Sequence, residues 1–238
     1  CRSREDGRHE PFIADFCGSL SDRKAIQEFQ REFLKRRDRL TPKLDSMIKA
    51  DNIVSRLSTD EIYDMIVLEF SFIFWQWGQP VSSIPGSDAS DDEIFKYMVD
   101  FNGPDYWAEE SPTGPFFVMA AHELGYYGYD TKPFKDLLTI KDAKGYLART
   151  VLPEELQNTK FDKTLSKRMQ KFLKTTDCRM LFIYGEFDPW SAVRAGDKHG
   201  KNIHIYIDPK GSHKSRISTF SPEVQEEIKG ILSSWLYE

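Results

Sequence analysis

Up to Thr175 the apolar residues recur at a helical period, and beyond it they gather into short continuous runs closed by turns. Ile26, Phe29, Phe33, Leu34 and Leu40 keep that period over Asp22–Leu40, with Arg and Lys between them. Pro42 marks a boundary, after which a shorter helix is predicted over Leu44–Ala50. The stretch STDEIYDMIVLEFSFIFWQWG opens with Ser58 and Glu61 at capping-box spacing and then turns apolar on nearly every face, the pattern of a buried helix. An amphipathic helix over Asp91–Phe101 shows Ile94, Phe95, Met98 and Phe101 on one side. Two more helices are expected over Phe116–Leu124, stopped by Gly125, and over Lys163–Thr175. Residues 1–20 read as loop with a short turn, and residues 78–90 as loop. Met180–Tyr184 and Ile203–Ile207 are β-type runs bounded by turn signals. The last segment is a helix capped by Ser221, with Pro222 at its first position and a stripe of Val224, Ile228, Ile231, Leu232, Trp235 and Leu236.

A long helical block is thus followed by strand, turn, strand, turn and helix. Parallel strands expect neighbours on both sides and helices on both faces. Two strands cannot meet that need alone, so the tail reads as the closing third of an α/β sheet.

Composition narrows the function little. The net charge of −5 is mild and no basic stripe stands out, which speaks against a nucleic-acid partner. The longest apolar run, Ile66–Trp77, is interrupted by Glu69, Ser71 and Gln76 and is too short to span a bilayer. Cys1, Cys17 and Cys178 lack metal-ligand spacing, and a Cys1–Cys17 bridge stays open on the sequence. A chain that begins on Cys fits either a mature lipoprotein or a piece of a longer protein.

Candidate chemistry sits in the two turns that follow the strands. RMLFIYGEFDPWSAVRAG carries Asp188, and NIHIYIDPKGSHKS carries His213. In α/β-hydrolases the triad runs in the chain order serine, acid, histidine, with the last two in turns after late strands. A histidine there takes the nucleophile's proton and returns it to the leaving group, while the carboxylate fixes its tautomer. The bland alternative is an Asp-Pro turn and a surface histidine. No G-x-S-x-G elbow occurs; Ser19, Ser191 and Ser212 lie near glycines without its flanks. The nucleophile is therefore expected outside this sequence.

YGEFDPWSA, the later GSH, FIFWQWG and AAHELGYYGYD together resemble the prolyl tri- and tetrapeptidyl aminopeptidase family, α/β-hydrolase serine peptidases related more distantly to lysosomal Pro-X carboxypeptidases and dipeptidyl peptidases. PFIADFCGSLSDRKAIQEFQREFLKRR resembles the segment that follows the nucleophile strand and helix in that family, so the likeness covers nearly the whole chain. The resemblance implies a partial α/β-hydrolase fold with a large helical cap. Residues 1–14 would link to the missing N-terminal part, 15–170 would form the cap and 171–238 would close the hydrolase domain. The serine and oxyanion hole would lie upstream of Cys1, which favours the piece of a longer protein over the lipoprotein. Secretion, to the periplasm or cell envelope or beyond, is implied by the resemblance alone.

An aminopeptidase must also bind a free α-ammonium. Glu123 is the preferred anchor and Glu69 the second candidate; both stand in apolar, aromatic contexts where a lone charge is costly. A structural ion pair with Arg or Lys is the simpler reading of each. Trp75, Trp77, Tyr126 and Tyr127 could wall a proline-accepting pocket, or be plain core. His122-Glu123 lacks the second histidine of a zinc motif, since Tyr126 stands in its place, and no metal or other cofactor is predicted. His204 is expected to face solvent from its strand. The run Arg31–Arg39 reads as the solvated face of a helix. The expected partners are a peptide substrate and the missing part of the same protein. A carboxypeptidase or esterase with a similar cap, and a non-catalytic helical binding module, remain alternatives.

Overall fold

The computed structural model describes residues 9–110 and 113–237. Its helical block begins with α1 (His9–Phe16), α2 (Leu20–Lys35), α3 (Arg37–Ala50), α4 (Thr59–Gln76) and α5 (Asp91–Phe101). It continues with α6 (Gly114–Met119), α7 (Tyr146–Val151) and α8 (Thr164–Thr175). Strand β1 (Met180–Gly185) then pairs in parallel with β2 (Ile203–Asp208), and α9 (Pro222–Tyr237) closes the described chain. The protein is therefore α-rich with a small two-stranded parallel sheet, an arrangement consistent with the α/β class.

Helix α4 is the axis of the block. Ser58 accepts from the Glu61 amide while Glu61 reaches back to the Ser58 amide, so two orphan N–H groups are satisfied at its start. From Ile62 to Phe70 every residue is buried. Helices α2, α3 and α5 pack around it, and rings of α2 meet rings of α4: Phe29 lies 5.1 Å from Phe70, and Phe33 stacks on Tyr63 at 4.7 Å. At roughly 25 cal/mol per Å² of apolar surface, this core supplies the main stabilising term.

Four expectations are corrected. Residues 1–20 are not all loop: α1 forms because Phe12 and Phe16, one turn apart, meet with ring centres 5.6 Å apart while His9 is buried. Residues 1–8, with Cys1 and any bridge to Cys17, lie outside the described residues. The break between α2 and α3 falls at Arg36 rather than at Pro42, and α3 runs through that proline. Leu40 and Leu44, four apart, bury the same face on either side of Pro42, and that burial outweighs the lost hydrogen bond. The Arg31–Arg39 run is not a free solvated face. Arg31 pairs with Asp136, Arg39 with Asp91, and Arg37 with the fully buried Asp64. Arg36 donates to Glu32, Asp91 and the carbonyls of Ser87 and Ala89. Finally, His204 is half-buried against Trp235, ring centres 5.8 Å apart, because α9 covers that face of β2.

No helix among the described residues is long and apolar enough to cross a membrane. The α9 stripe is half realised: Ile228 is buried, Val224, Ile231, Leu232 and Trp235 are half-buried, and Leu236 is exposed.

Candidate functional site

β1 ends at Gly185, and the chain turns through Glu186 and Phe187 into Asp188. The Asp188 carbonyl accepts from Ser191 N at 2.8 Å, and its Oδ1 accepts from Trp190 N at 3.1 Å, which caps the 3₁₀ turn Pro189–Val193. One carboxylate oxygen is thereby fixed and the other, Oδ2, is left to point elsewhere. It meets His213 Nδ1 at 2.9 Å. Asp188 is buried, whereas the His213 side chain keeps 46 % of its exposure. A carboxylate accepting at Nδ1 places the neutral ring's proton there and leaves Nε2 as the basic nitrogen.

The loop that carries His213 lies over the end of β1 at backbone distance. A Cβ on Gly185 would fall 2.7 Å from the Gly211 carbonyl carbon and clash with the Ser212 carbonyl, so the strand must end in glycine. Phe187 N donates to Gly211 O at 2.8 Å, and Lys210 N donates to the Glu186 carboxylate at 2.7 Å. From the helical block, the Gln76 carbonyl at the end of α4 accepts from His213 N at 2.9 Å. The Trp77 ring stands edge-on to the imidazole, centres 5.8 Å apart, and Lys214 Nζ lies 6.0 Å from the centre of that ring.

Of the predicted aromatic wall, Trp77 alone is substantially exposed. Trp75 is buried against Phe187, 5.7 Å centre to centre, beside the buried Cys17, whose thiol donates to Phe187 O at 3.4 Å. Burial pushes that thiol up to about 12, so it is not nucleophilic. Tyr127 stacks on Phe72 at 3.8 Å and on Tyr126 at 4.2 Å, and Trp190, two residues past Asp188, meets both tyrosines edge-on at 5.7 Å. The turn bearing Asp188 is thus docked on the aromatic cluster of the helical block.

The two glutamates differ sharply. Glu69 is buried on α4, and its oxygens accept from Tyr127 Oη at 2.7 Å and Tyr129 Oη at 2.6 Å. Its partners are hydroxyls rather than the Arg or Lys of the simpler reading. Burial pushes its carboxyl up to about 7 against the pull of the two hydrogen bonds. Glu123 lies half-exposed on the π-helical turn Ala120–Leu124 that continues α6. A cleft of about 650 Å³ runs between that turn, α8 and the Pro189–Val193 turn; Leu124, Gly125, Met169, Leu173, Trp190 and Val193 line it. Among the described residues, no three or more His, Cys, Asp or Glu side chains are grouped so as to hold a metal ion.

Several contributors escaped sequence reasoning. The Gln76 carbonyl is a backbone atom with no sequence signal. Asp208 and Ser215 had one: a strand-ending aspartate and a hydroxyl two residues past the histidine, which join at 2.7 Å.

These features define an α/β protein with a carboxylate–imidazole pair at the carboxyl ends of adjacent parallel strands, the place where such sheets put their reactive groups. Its family is known as well: a model described as PS-10 peptidase S37 matches residues 2–236, and the chain belongs to that peptidase family. It is similar to a prolyl tri/tetrapeptidyl aminopeptidase of Streptomyces mobaraensis, with 24 % identity over 241 residues, 98 % of this chain and 50 % of the relative. The chain thus spans about half the length of the curated relative it matches. No solved structure matches it.

Proposed function

We propose that this chain carries the acid and the general base of a serine peptidase that releases short prolyl peptides from peptide N-termini. The observation that carries the reading is the hydrogen bond between buried Asp188 and half-exposed His213. Asp188 holds the ring and stabilises the imidazolium; Nε2 takes the proton of a serine and returns it to the leaving amine. With no nucleophile elbow in this sequence, the serine and its oxyanion hole come from a segment outside it. Residues 15–170 act as a helical cap over a hydrolase domain to which 171–238 contribute, with residues 1–14 leading in from that segment. The half-length match to the aminopeptidase agrees with this division, and the reading places the enzyme outside the cytoplasm.

Within this reading the substrate lies in the cleft beside Trp190. Glu123 at the adjoining turn receives its α-ammonium, and exposed Trp77 offers a face to the proline ring near the imidazole. Trp75, Tyr126 and Tyr127 back these surfaces from the core. Glu69 is the weaker anchor, since both its oxygens are already engaged.

The test uses the longer protein that contains this chain. His213→Ala and Asp188→Asn should each lower kcat by about 10⁴-fold on a prolyl tripeptide substrate. Glu123→Gln should raise KM for free-amine peptides and leave N-blocked ones alone. Near-normal turnover in His213→Ala removes the reading. Indifference to N-blocking in the parent enzyme turns it toward a carboxypeptidase or esterase, and absence of turnover in the parent toward a binding module.

A further inference from the structure

The His213 loop is organised by a second buried carboxylate that the Asp188–His213 pair does not use. Asp208 closes β2 and is 7 % exposed. Its Oδ2 accepts from Ser215 Oγ at 2.7 Å and from Thr219 Oγ1 at 2.6 Å, hydroxyls two and six positions after His213. Its backbone carbonyl accepts from Gly211 N at 2.9 Å and from Glu186 N at 3.0 Å. The same residue therefore ties both sides of the loop, and also the strand end that leads to Asp188. No salt bridge to Asp208 is present among the described residues, so its charge rests on hydroxyls and the surrounding backbone.

The packing leaves this arrangement little slack. A Cβ on Gly211 would fall 2.7 Å from Asp208 Oδ2 and would overlap Ser215 Oγ. Lys210 takes up a left-handed conformation, φ 56°, which non-glycine residues adopt only when their surroundings impose it. Ser215 N returns to Ser212 O at 3.0 Å, so His213 sits inside a turn whose far end Asp208 holds. Burying an ionised carboxylate against two hydroxyls costs more than burying an amide or an apolar side chain of that size. A packing role alone gives no reason for a carboxylate here; a loop that must hold one ring atom within hydrogen-bond range of Asp188 does.

We propose that Asp208 is a positioning residue that sets the imidazole of His213 against Asp188 by gripping the hydroxyls of Ser215 and Thr219. The proposal rests on the reading of Asp188 and His213 as the acid–base pair, but its test reads their hydrogen bond directly rather than turnover.

The measurement is proton NMR, in water, of the longer protein that contains this chain. An Nδ1 proton shared with a carboxylate resonates far downfield of the backbone amides, and its loss in His213→Ala assigns it. In Asp208→Ala the signal should disappear, or exchange with solvent at least about fivefold faster, the factor expected for one ordinary hydrogen bond. Ser215→Ala should act in the same direction and Ser215→Thr, which keeps the hydroxyl, should restore the wild-type signal. An unchanged signal in Asp208→Ala and Ser215→Ala overturns the proposal. If Asp208→Ala fails to fold, the Ser215 pair and Thr219→Val decide by the same criterion. If the signal survives Asp188→Asn, the pairing of Asp188 with His213 is itself wrong, an outcome separate from failure of Asp208.

Discussion

Glu69 shows how an environment can remake a residue. Two tyrosine hydroxyls satisfy its oxygens, yet full burial lifts the carboxyl from its ordinary 4.5 to about 7. The folded protein therefore holds this proton more tightly than the unfolded chain does. Stability is greatest at low pH for this group and falls as pH rises from about 4.5 to about 7, by on the order of 3 kcal/mol. Glu69→Gln, neutral throughout, should flatten that slope; urea titrations at pH 5 and pH 7.5 compare the two proteins. The same scale explains what the sequence could and could not say about the site. The Asp188–His213 pair was legible because each side chain lies within three residues of a glycine in the turn that ends a strand. Glu69 and Glu123 look alike in sequence, as carboxylates among aromatics. What separates them is tertiary: one meets Tyr127 and Tyr129 across the fold, and the other lies half-exposed on a π-helical turn.

Helix and strand positions were legible wherever period and caps agreed. Helix α4 begins at its capping box, α5 matches Asp91–Phe101, and both strands extend one residue past their apolar runs. The misreadings came from local signals that tertiary contacts override. Pro42 reads as a stop until Leu40 and Leu44 are seen burying one face, and α1, at 8 residues, is too short to announce itself. The Arg31–Arg39 run reads as solvated until its acidic partners arrive from 27 to 105 residues away. At this scale the glycine closing β1 is the position least open to change. Gly185→Ala sets a methyl against the backbone of Gly211 and Ser212 rather than a yielding side chain. It should destabilise the protein by at least about 2 kcal/mol, read from its urea midpoint, and displace the His213 loop.

The molecule as a whole is uneven. Its helical block wraps a continuous core around α4, while the sheet has two strands, and the residues of β1 before Gly185 are only half-buried. Hydrogen exchange should reflect this: amides of Ile62–Phe70 should be the slowest to exchange, and those of Met180–Tyr184 faster by an order of magnitude or more. In the longer protein, where further strands are proposed to flank β1, that gap should close. Equal protection in the isolated chain would mean that two strands suffice. One junction ties the two regions together. The last carbonyl of α4 grips the backbone of His213, and the tryptophan after it stands against the ring. Were α4 to swing outward it would lose its hold on the His213 backbone, so on the proposed reading this helix does not serve as a lid. On the proposed reading, a peptide must then reach the imidazole with α4 held still.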